Sequence, residues 1–551
     1  MVRATFAGIT TALSSLQANQ KRLDIVGQNL SNMNTPGYTR QQLDVTSLNH
    51  LSPVSHYANG AEINVGFGVK MDGVSRIRDP YLDVQYRDQI VKSSYFDTRQ
   101  TSLDTLANFL DEHTISGIRQ AFDDVQSVLT NEQDPPKVTD PIFDSELRAR
   151  MQALTNALNE AASLIEKAEK QEYEVLNGEG TSENGAVQTV NDLLKRIGDL
   201  NIQIKRNQVV DQPSLELMDE RDMLLDELAS YIPIEVTYYK DSDREGWPYD
   251  LQVDMVYTDG ATGKLEHLTL VNGSEGGRGQ NYGSLDITTT GTKTDANGNI
   301  TPDYTTTSIT FNKAESATGK DDIVIAAGAN TTTADRFATG SIQSSLDMLG
   351  KTATGQGNDT MRGYQYYMNE LDKLAETFAN KINEINNKAV EYATNPPVTP
   401  GTPGPGDLLK GTTAKDIAIS DNWLAGKVHL GTGIDDGQGG PISTNDTVLE
   451  MLKAFESTYD DLDKNSFSSF MNHVSTILAT DSFSNQISLK TNVTVLNGIQ
   501  SSRDEISAVS LDEEASNMMA YLNAYNAASR LITALDEALN TLINNTGLVG
   551  R

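Results

Sequence analysis

Apolar residues near both ends of the 551-residue chain recur at steps of three and four positions. Near the N-terminus this stripe contains Phe6, Ile9, Leu13, Leu16, Leu23 and Leu30. Near the C-terminus a second stripe contains Leu511, Met518, Leu522, Tyr525, Ile532, Leu535, Leu539 and Leu542. Such spacing places side chains on one face of an α-helix, and alternating steps give a coiled-coil seam. The pattern predicts two terminal helices whose apolar faces need partners, either each other or copies of the same protein.

The boundaries of both terminal helices have local signals. The first helix is expected to stop at Thr35-Pro36-Gly37, because proline disfavours helix in the preceding residue and Pro-Gly fits the centre of a type II turn. The last helix is expected to open at Ser510, where Ser510 and Glu513 form a predicted capping box. Gln20 and Gly27 occupy seam positions of the first helix, which predicts that this helix is marginal alone.

The middle of the chain changes its period twice. Residues 41–79 alternate weakly, with predicted hairpin turns at Asn59-Gly60 and Asp72-Gly73. Helical period then runs to about residue 228, where Leu217–Leu228 pairs an apolar face with a dense charged face that we interpret as a solvated surface. From Pro233, short alternating runs are separated by turn dipeptides, namely Asp259-Gly260, Asn272-Gly273 and Asn297-Gly298.

Together these patterns predict an α+β multidomain protein: a helical body and terminal coiled-coil-type helices are built from both chain ends, and a β-rich domain is inserted. The expected segments are an N-terminal helix and turn (1–40), the helical body (41–233, with the extended region at 41–79), the β-rich domain (234–345), a second part of the body (346–395), a Pro/Gly-rich loop or small subdomain (396–445), a third part of the body (446–508) and the C-terminal helix (509–551).

Composition narrows the possible partners. The formal net charge of −33 argues against nucleic acid, since neutralising phosphates requires clustered Lys and Arg. No run approaches the roughly 18 apolar residues of a membrane span, so we expect no membrane partner. A cleavable signal peptide is not visible, because polar residues interrupt the N-terminal stretch. Cysteine is absent, which excludes disulfides, thiolate zinc sites and a Cys nucleophile.

A search for catalytic motifs finds none. The six histidines are far apart and lack metal-ligand spacing, and Gly350-Lys351-Thr352 lacks the first glycine of a P-loop. Asp295-Ala296-Asn297-Gly298-Asn299 begins like a calcium loop, but Ile300 stands where that loop needs glycine, so a hairpin turn is favoured. We therefore expect no catalytic residues, no metal site and no cofactor.

One motif is far more specific than the others. The stretch Gln28–Gln41 reads Gln-Asn-Leu-Ser-Asn-Met-Asn-Thr-Pro-Gly-Tyr-Thr-Arg-Gln and resembles the N-terminal signature of bacterial flagellar axial proteins, the rod, hook and hook-associated proteins. Its turn consists of Asn32, Asn34, Thr35, Pro36, Gly37 and Tyr38. The resemblance implies that both chain termini pack together in the core of a tubular assembly. Asn side chains at such a helix end can satisfy unpaired backbone groups.

Within that superfamily the chain resembles the family of the first hook-associated protein, which forms the junction between hook and filament. The similar stretches are Tyr38-Thr39-Arg40-Gln41, Gly66-Phe67-Gly68-Val69 with Gly73-Val74-Ser75-Arg76, Leu217–Leu228, and Val509 through Asn544. This resemblance implies a structural adaptor without catalytic activity. The two terminal stripes would then be assembly interfaces between copies.

The resemblance also implies partners and a location. The expected partners are copies of the chain in a ring, the hook protein, a second junction protein towards the filament, and a cytosolic export chaperone at the C-terminal helix. The expected location is the extracellular flagellum, reached without a cleaved signal. Two alternatives stay open: another axial subunit of the hook or rod, and, from another class, an extracellular adhesin or enzyme carried at 234–345.

Overall fold

The computed structural model describes most of the chain. The described residues are 2–48, 68–110, 112–131, 133, 141–178, 184–210, 214–239, 250–273, 281–294, 300–314, 322–328, 335–351, 361–390, 406–431, 433–434 and 445–544, with the backbone alone at 2–7, 112, 113, 141, 294 and 390. The predicted turns at Asn59-Gly60 and Asn297-Gly298 lie outside these residues, and so does the side chain of Phe6.

Helices make up the greater part of the described chain. In chain order they are α1 (Val2–Asn32), α2 (Pro80–Phe109), α3 (Glu112–Asn131), α4 (Pro141–Asn177), α5 (Ala186–Val209), α6 (Leu215–Tyr231), α7 (Ser341–Gly350), α8 (Tyr364–Lys388), the short α9 (Asp421–Leu424), α10 (Asp446–Glu456), α11 (Phe467–Ser507) and α12 (Leu511–Asn544). Pro80 at the first position of α2 and the Asp79 carboxylate, which accepts from the Tyr81 amide, begin that helix.

The strands form small antiparallel sheets. They are β1 (Gln41–Ser47), β2 (Val69–Arg76), β3 (Ile234–Tyr239), β4 (Asp250–Thr258), β5 (Leu265–Asn272), β6 (Ser284–Thr294), β7 (Ile300–Asn312), β8 (Ile323–Ala326), β9 (Ala389–Val390), β10 (Leu409–Lys410), β11 (Ala418–Ile419) and β12 (Gly433–Ile434). The pairs are β1–β2, β9–β12 and β10–β11, and the larger sheets have the orders β3-β4-β5 and β6-β7-β8. Gly73 lies inside β2 opposite Asp44, beside a bulge, so the predicted turn at Asp72-Gly73 is wrong.

A first apolar core lies inside the helical body. Phe122, Phe378, Phe455 and Phe467 pack mostly edge to face, with ring centroids 5.2–6.3 Å apart. Trp423, in the segment whose structure the sequence leaves ambiguous, is fully buried and belongs to the same core. This core therefore joins residues from α2 to α11 into one packed unit.

A second apolar core joins the two larger sheets to helices. Inward residues of β4 and β5 alternate with more exposed ones, and they pack against residues of α5, α6 and α7. The strand runs predicted between residues 234 and 325 are all present, and the predicted fold class, a helical body with terminal helices and a central β-containing region, is confirmed. The domain boundaries stay predictions, and α7 crosses the expected boundary at 345/346.

Candidate assembly interface

The two terminal helices lie antiparallel against each other. Gly8 of α1 faces the Leu535 side chain, and the Arg22 guanidinium lies 5.3 Å from the ring centroid of Tyr521. We call α1 and α12 together the terminal pair. Within one chain, each predicted seam therefore has the other helix as a neighbour.

Few apolar side chains of the terminal pair are fully buried. The buried apolar residues are Ala12, Ala18, Ile25 and Val26 of α1 and Ala528 of α12. Small residues let two helices approach closely, but each buries little apolar area. The contact between α1 and α12 therefore stabilises the pair less than full burial of its many large apolar side chains would.

The predicted seam residues divide into two groups. The half-buried ones are Ile9, Leu16, Leu23, Leu30, Tyr525, Ile532, Leu535 and Leu539. Those exposed are Leu13, Leu511, Met518, Leu522 and Leu542, which are 37–56% accessible. Met519, Leu531 and Ile543 of α12 are exposed as well. A large apolar surface on the terminal pair thus remains uncovered in the single chain.

The signature turn has the predicted conformation. The Tyr38 amide donates to the Thr35 carbonyl at 3.2 Å, and Gly37 has φ +77°, as the third residue of a type II turn requires. A Cβ on Gly37 would also lie 2.2 Å from Met223 Sδ. At the helix end, Asn32 Nδ2 donates to the Gln28 carbonyl at 3.0 Å. Asn34, Thr35 and Pro36 are exposed.

Asn29 is a buried organiser of this turn that the site prediction missed. Its Oδ1 accepts from Tyr38 Oη at 2.9 Å and from the Gln41 amide at 3.1 Å, while its Nδ2 donates to the Gln41 carbonyl at 3.0 Å. Burial, followed by the charges of Glu216, Asp219 and Glu514, raises the pKa of Tyr38 to about 12, so Tyr38 stays a neutral donor. The side chain of Asn29 thus fixes the start of β1 against α1.

Below the turn, four arginines and four aspartates form a buried ion network. Its members are Arg76, Arg78, Arg87, Arg503, Asp83, Asp219, Asp222 and Asp226. Arg76 pairs with Asp219 at 2.7 Å and Asp222 at 2.8 Å, and Arg503 pairs with Asp83 at 2.9 Å and Asp226 at 2.6 Å. The interpretation of Leu217–Leu228 as a solvated surface is therefore wrong for its aspartates, since Asp219 and Asp222 are at most 5% accessible.

The ion network connects the chain ends to the body. Asp219 also accepts from the Thr39 amide at 3.1 Å, and the Arg40 amide donates to the Ser507 carbonyl at 2.9 Å. Burial alone would raise the pKa of Asp222, but Arg78, Arg76, Arg221 and Arg87 together lower it below its ordinary value. The network therefore holds Asp222 ionised where β2, α2, α6 and α11 meet.

The predicted capping box at Ser510 is only half formed. The Glu513 amide approaches Ser510 Oγ at 3.5 Å, but the Glu513 carboxylate accepts from Arg40 Nη1. Arg40 thereby joins the segment after α1 to the first turn of α12. The negative charge of Glu513 still lies at the positive end of the helix dipole.

Neither a metal site nor a membrane helix is found in the described residues. Among them, no three His, Asp or Glu side chains are grouped so that they could hold a metal ion. No described helix has an apolar stretch long enough to cross a bilayer.

The first and last helices of this chain pair with each other, and the signature turn follows the first. These features are typical of structural proteins of the flagellar axial class. The family model described as "flagellar hook-associated protein FlgK helical domain" matches residues 103–398, more than half of the chain. The chain belongs to the flagellar hook-associated protein FlgK family. Two further family models match its ends: "Flagella basal body rod protein" at residues 9–39 and "Flagellar basal body rod FlgEFG protein C-terminal" at residues 500–545.

Several relatives carry the same name. Flagellar hook-associated protein 1 of Bacillus subtilis is 28% identical over 569 aligned residues, which cover 100% of both chains. The proteins of that name from Salmonella typhimurium and Escherichia coli are 28% identical over 255 residues, covering 45% of this chain and 42% of theirs. The solved hook junction protein FlgK from Burkholderia pseudomallei has 17% identity and a TM-score of 0.36, covering 59% of this chain and 46% of that chain. The family assignment rests on the sequence matches.

Proposed function

We propose that this chain is a structural adaptor that joins hook to filament in the bacterial flagellum, and that it assembles through its terminal pair. The single observation that carries this proposal is the uncovered apolar surface of that pair, which includes Leu511, Met518 and Leu522. Exposed apolar patches of this kind mark protein–protein contacts. The name that the relatives carry, flagellar hook-associated protein 1, supports the same role.

The terminal pair has a geometry suited to lateral assembly. Leu13, Gln20 and Gly27 follow one another at seven-residue steps on α1, and all three are exposed. A Cβ on Gly27 would meet nothing within 4 Å, so another helix has room to approach there. Seven-residue repeats on an exposed helix face suit the packing of a further helix.

The remaining partners follow from the family. We propose that copies of the chain form a ring, with the hook protein on one side and a second junction protein on the filament side. A cytosolic export chaperone would cover the C-terminal helix before assembly, and the assembled chain would belong to the extracellular flagellum. The ion network supports a fixed orientation of the terminal pair relative to the body, and the β-rich region would face outward.

A second candidate is another axial subunit of the rod or hook. The two rod-protein models that match residues 9–39 and 500–545 favour it, because they describe both chain ends. The helical-domain match at 103–398 favours the junction protein, because it covers the body between those ends. Electron microscopy of cells lacking this chain separates the two: a junction adaptor leaves bare hooks, whereas a hook or rod subunit leaves no hook.

Truncation before Leu511 tests the mode of assembly. We expect the shortened chain to be soluble and to appear in the culture medium, while the hooks of the same cells carry no filaments. Filaments attached at the normal frequency would contradict assembly through the terminal pair. A chain that is not found in the medium would be examined instead through point variants that keep the helix.

The matched variants are Leu522→Asp on α12 and Val175→Asp on α4, two exposed apolar residues that are 49% and 57% accessible. We expect Leu522→Asp to reduce filament attachment at least tenfold, since a buried unpaired carboxylate costs several kcal/mol. Val175→Asp should leave attachment unchanged, because Val175 lies outside the terminal pair. Equal effects would assign the loss to general solubility or folding.

A further inference from the structure

A polar cavity of about 290 Å³ lies at the base of the terminal pair, between α1, β1 and the first turns of α12. Its charged and hydrogen-bonding lining includes Arg22, Arg40, Gln42, Glu514 and Asn517. The cavity is partly open to the surface. Neither the ion network nor the signature turn accounts for it.

Two of the lining side chains have unsatisfied atoms. Glu514 is only 3% accessible, its carboxylate has no ion-pair or hydrogen-bond partner among the described residues, and its Oε2 is shielded from solvent. Arg40 is bound through Nη1 to Glu513, but its Nε is buried and has no acceptor. A buried carboxylate without a partner is costly, so some group is expected to reach it when the protein functions.

The charges around the cavity indicate what kind of group that is. Arg40 is already paired with Glu513, and the remaining charges, of Arg22 and Glu514, balance each other. An added cation would leave a net positive charge in a partly closed site, and an added anion a net negative one. A carboxamide is neutral, and it can donate to the Glu514 carboxylate and accept from the Arg40 guanidinium at the same time.

The surroundings of the cavity indicate where such a group comes from. Leu511 and Met518 are three residues before and four residues after Glu514, so they flank Glu514 on the same side of α12. They are 56% and 37% accessible. A buried polar centre with an exposed apolar border is typical of a protein–protein contact rather than of a small-molecule site.

The chain carries a suitable carboxamide on its own outer surface. Gln20 is exposed on α1, between Leu13 and Gly27 on the seven-residue stripe described above. A glutamine that becomes buried when a second helix packs on it needs a polar partner on the facing surface. The cavity at Glu514 offers both an acceptor and a donor.

We propose that the cavity is a socket for a carboxamide side chain of a second copy of this chain, with Gln20 as that side chain. This rests on the proposed assembly through the terminal pair and specifies one contact within it. The socket sets the axial position of one copy against the next, because apolar stripes alone allow sliding, whereas a single buried polar contact fixes register.

The variant Glu514→Ala tests the socket, with Asp512→Ala as its control. Asp512 is an exposed acid in the same helical turn. Glu514→Ala should leave the thermal stability of the free chain equal or higher, since it removes an unpartnered buried carboxylate. It should nevertheless reduce the fraction of hooks that carry filaments at least tenfold, while Asp512→Ala assembles normally. A purely structural role for Glu514 would instead lower the stability of the free chain.

The variant Gln20→Ala tests the proposed occupant, with the neighbouring exposed Gln17→Ala as its control. Gln20→Ala should weaken assembly, and it should have little further effect in a Glu514→Ala chain, because coupled partners are non-additive. Additive effects of the two substitutions would overturn the assignment of Gln20.

Cross-linking gives a second readout that does not depend on motility. The chain contains no cysteine, so every disulfide in a chain with Gln20→Cys and Asn517→Cys involves the introduced thiols alone. The designed 20–517 disulfide needs Cα atoms about 4.4–6.8 Å apart, and peptide mapping distinguishes it from 20–20 and 517–517 disulfides between copies. We expect disulfide-linked oligomers in isolated hook structures and none in the free chain. Normal assembly of Glu514→Ala with no cross-link would overturn the socket, and water alone would then fill the cavity. If truncation before Leu511 abolished assembly but Glu514→Ala did not, assembly through the terminal pair would be supported and the socket would be rejected.

Discussion

The helical body and the terminal pair are both built from long helices, yet they bury different side chains. The body encloses Phe122, Phe378 and Phe467, all fully buried, together with many other large side chains. Among the described apolar side chains of the terminal pair, the buried ones are Ala12, Ala18, Ile25, Val26 and Ala528. A buried large side chain contributes about 1.5–3 kcal/mol, and an alanine methyl much less. The body therefore has its own stabilising core, whereas many large apolar residues of the terminal pair remain exposed and can contact a partner.

The substitution with the largest expected effect is Phe122→Ala in the body. Phe122 contacts three other phenylalanine rings, so the cavity left behind should lower the free energy of unfolding by about 4 kcal/mol. Urea unfolding followed by circular dichroism measures it. Phe483→Ala, at a residue 64% accessible, is the control and should change it by less than about 0.5 kcal/mol. Similar losses at both positions would contradict the distinction between core and surface.

A substitution in the ion network tests whether the terminal pair is structurally coupled to the body. Asp222→Asn leaves Arg76 and Arg78 without their shared carboxylate and should cost about 3 kcal/mol. Hydrogen exchange should speed up in α12, although the ion pairs of Asp222 are with Arg76, Arg78 and Arg87, outside that helix. If exchange became faster in α6 alone, the network would stabilise only the body. Because the pKa of Asp222 is lowered on folding, its contribution is present above pH about 4 and lost as pH falls further.

Glu169 in the body should respond to pH in the opposite direction. Burial raises its pKa to about 7, against 4.5 in the unfolded chain, although Lys293 opposes the shift. The folded state therefore binds the extra proton between pH 4.5 and 7, so stability should fall as pH rises through that window, by up to about 3 kcal/mol. Melting temperatures across this range measure the slope. Glu169→Gln should flatten it, and an unchanged slope would assign the effect to other groups.

The smallest effects are expected at the signature turn. Asn29→Ala removes three hydrogen bonds and should cost about 2 kcal/mol, whereas Tyr38→Phe removes one and should cost about 1 kcal/mol. Hydrogen exchange in β1 reports both. Equal costs would mean that the Tyr38 hydroxyl, rather than the two contacts to Gln41, holds the strand in place.

Periodicity predicted the elements well, because burial of an apolar face is what fixes helices and strands locally. The type II turn was also predictable, since proline fixes its own φ and glycine accepts the positive φ that Gly37 shows. The pattern did not predict which face of each terminal helix is buried within the chain. Ala12 and Ala18 carry little apolar weight, yet their small size is what allows close approach.

The ion network and Glu514 could not be inferred from pattern for a different reason. A charged residue on an amphipathic helix is usually solvated, so Asp219 and Asp222 resembled surface residues. Their burial depends on arginines from β2 and α11, far away in the sequence. The nearest sequence signal was the pair of motifs containing Arg76 and Asp222, which are now seen to be in contact.

The bridge between Arg40 and Glu513 has a consequence for the order of folding. The two residues are 473 positions apart, so this contact closes a loop that includes most of the chain. The entropy of loop closure grows only as the logarithm of loop length, and a compact body between the ends reduces the effective length further. When a chain is synthesised or transported one end first, α1 and α12 can pair only after the residues between them have followed. The formation of the terminal pair therefore shows that the chain is present up to its last helix.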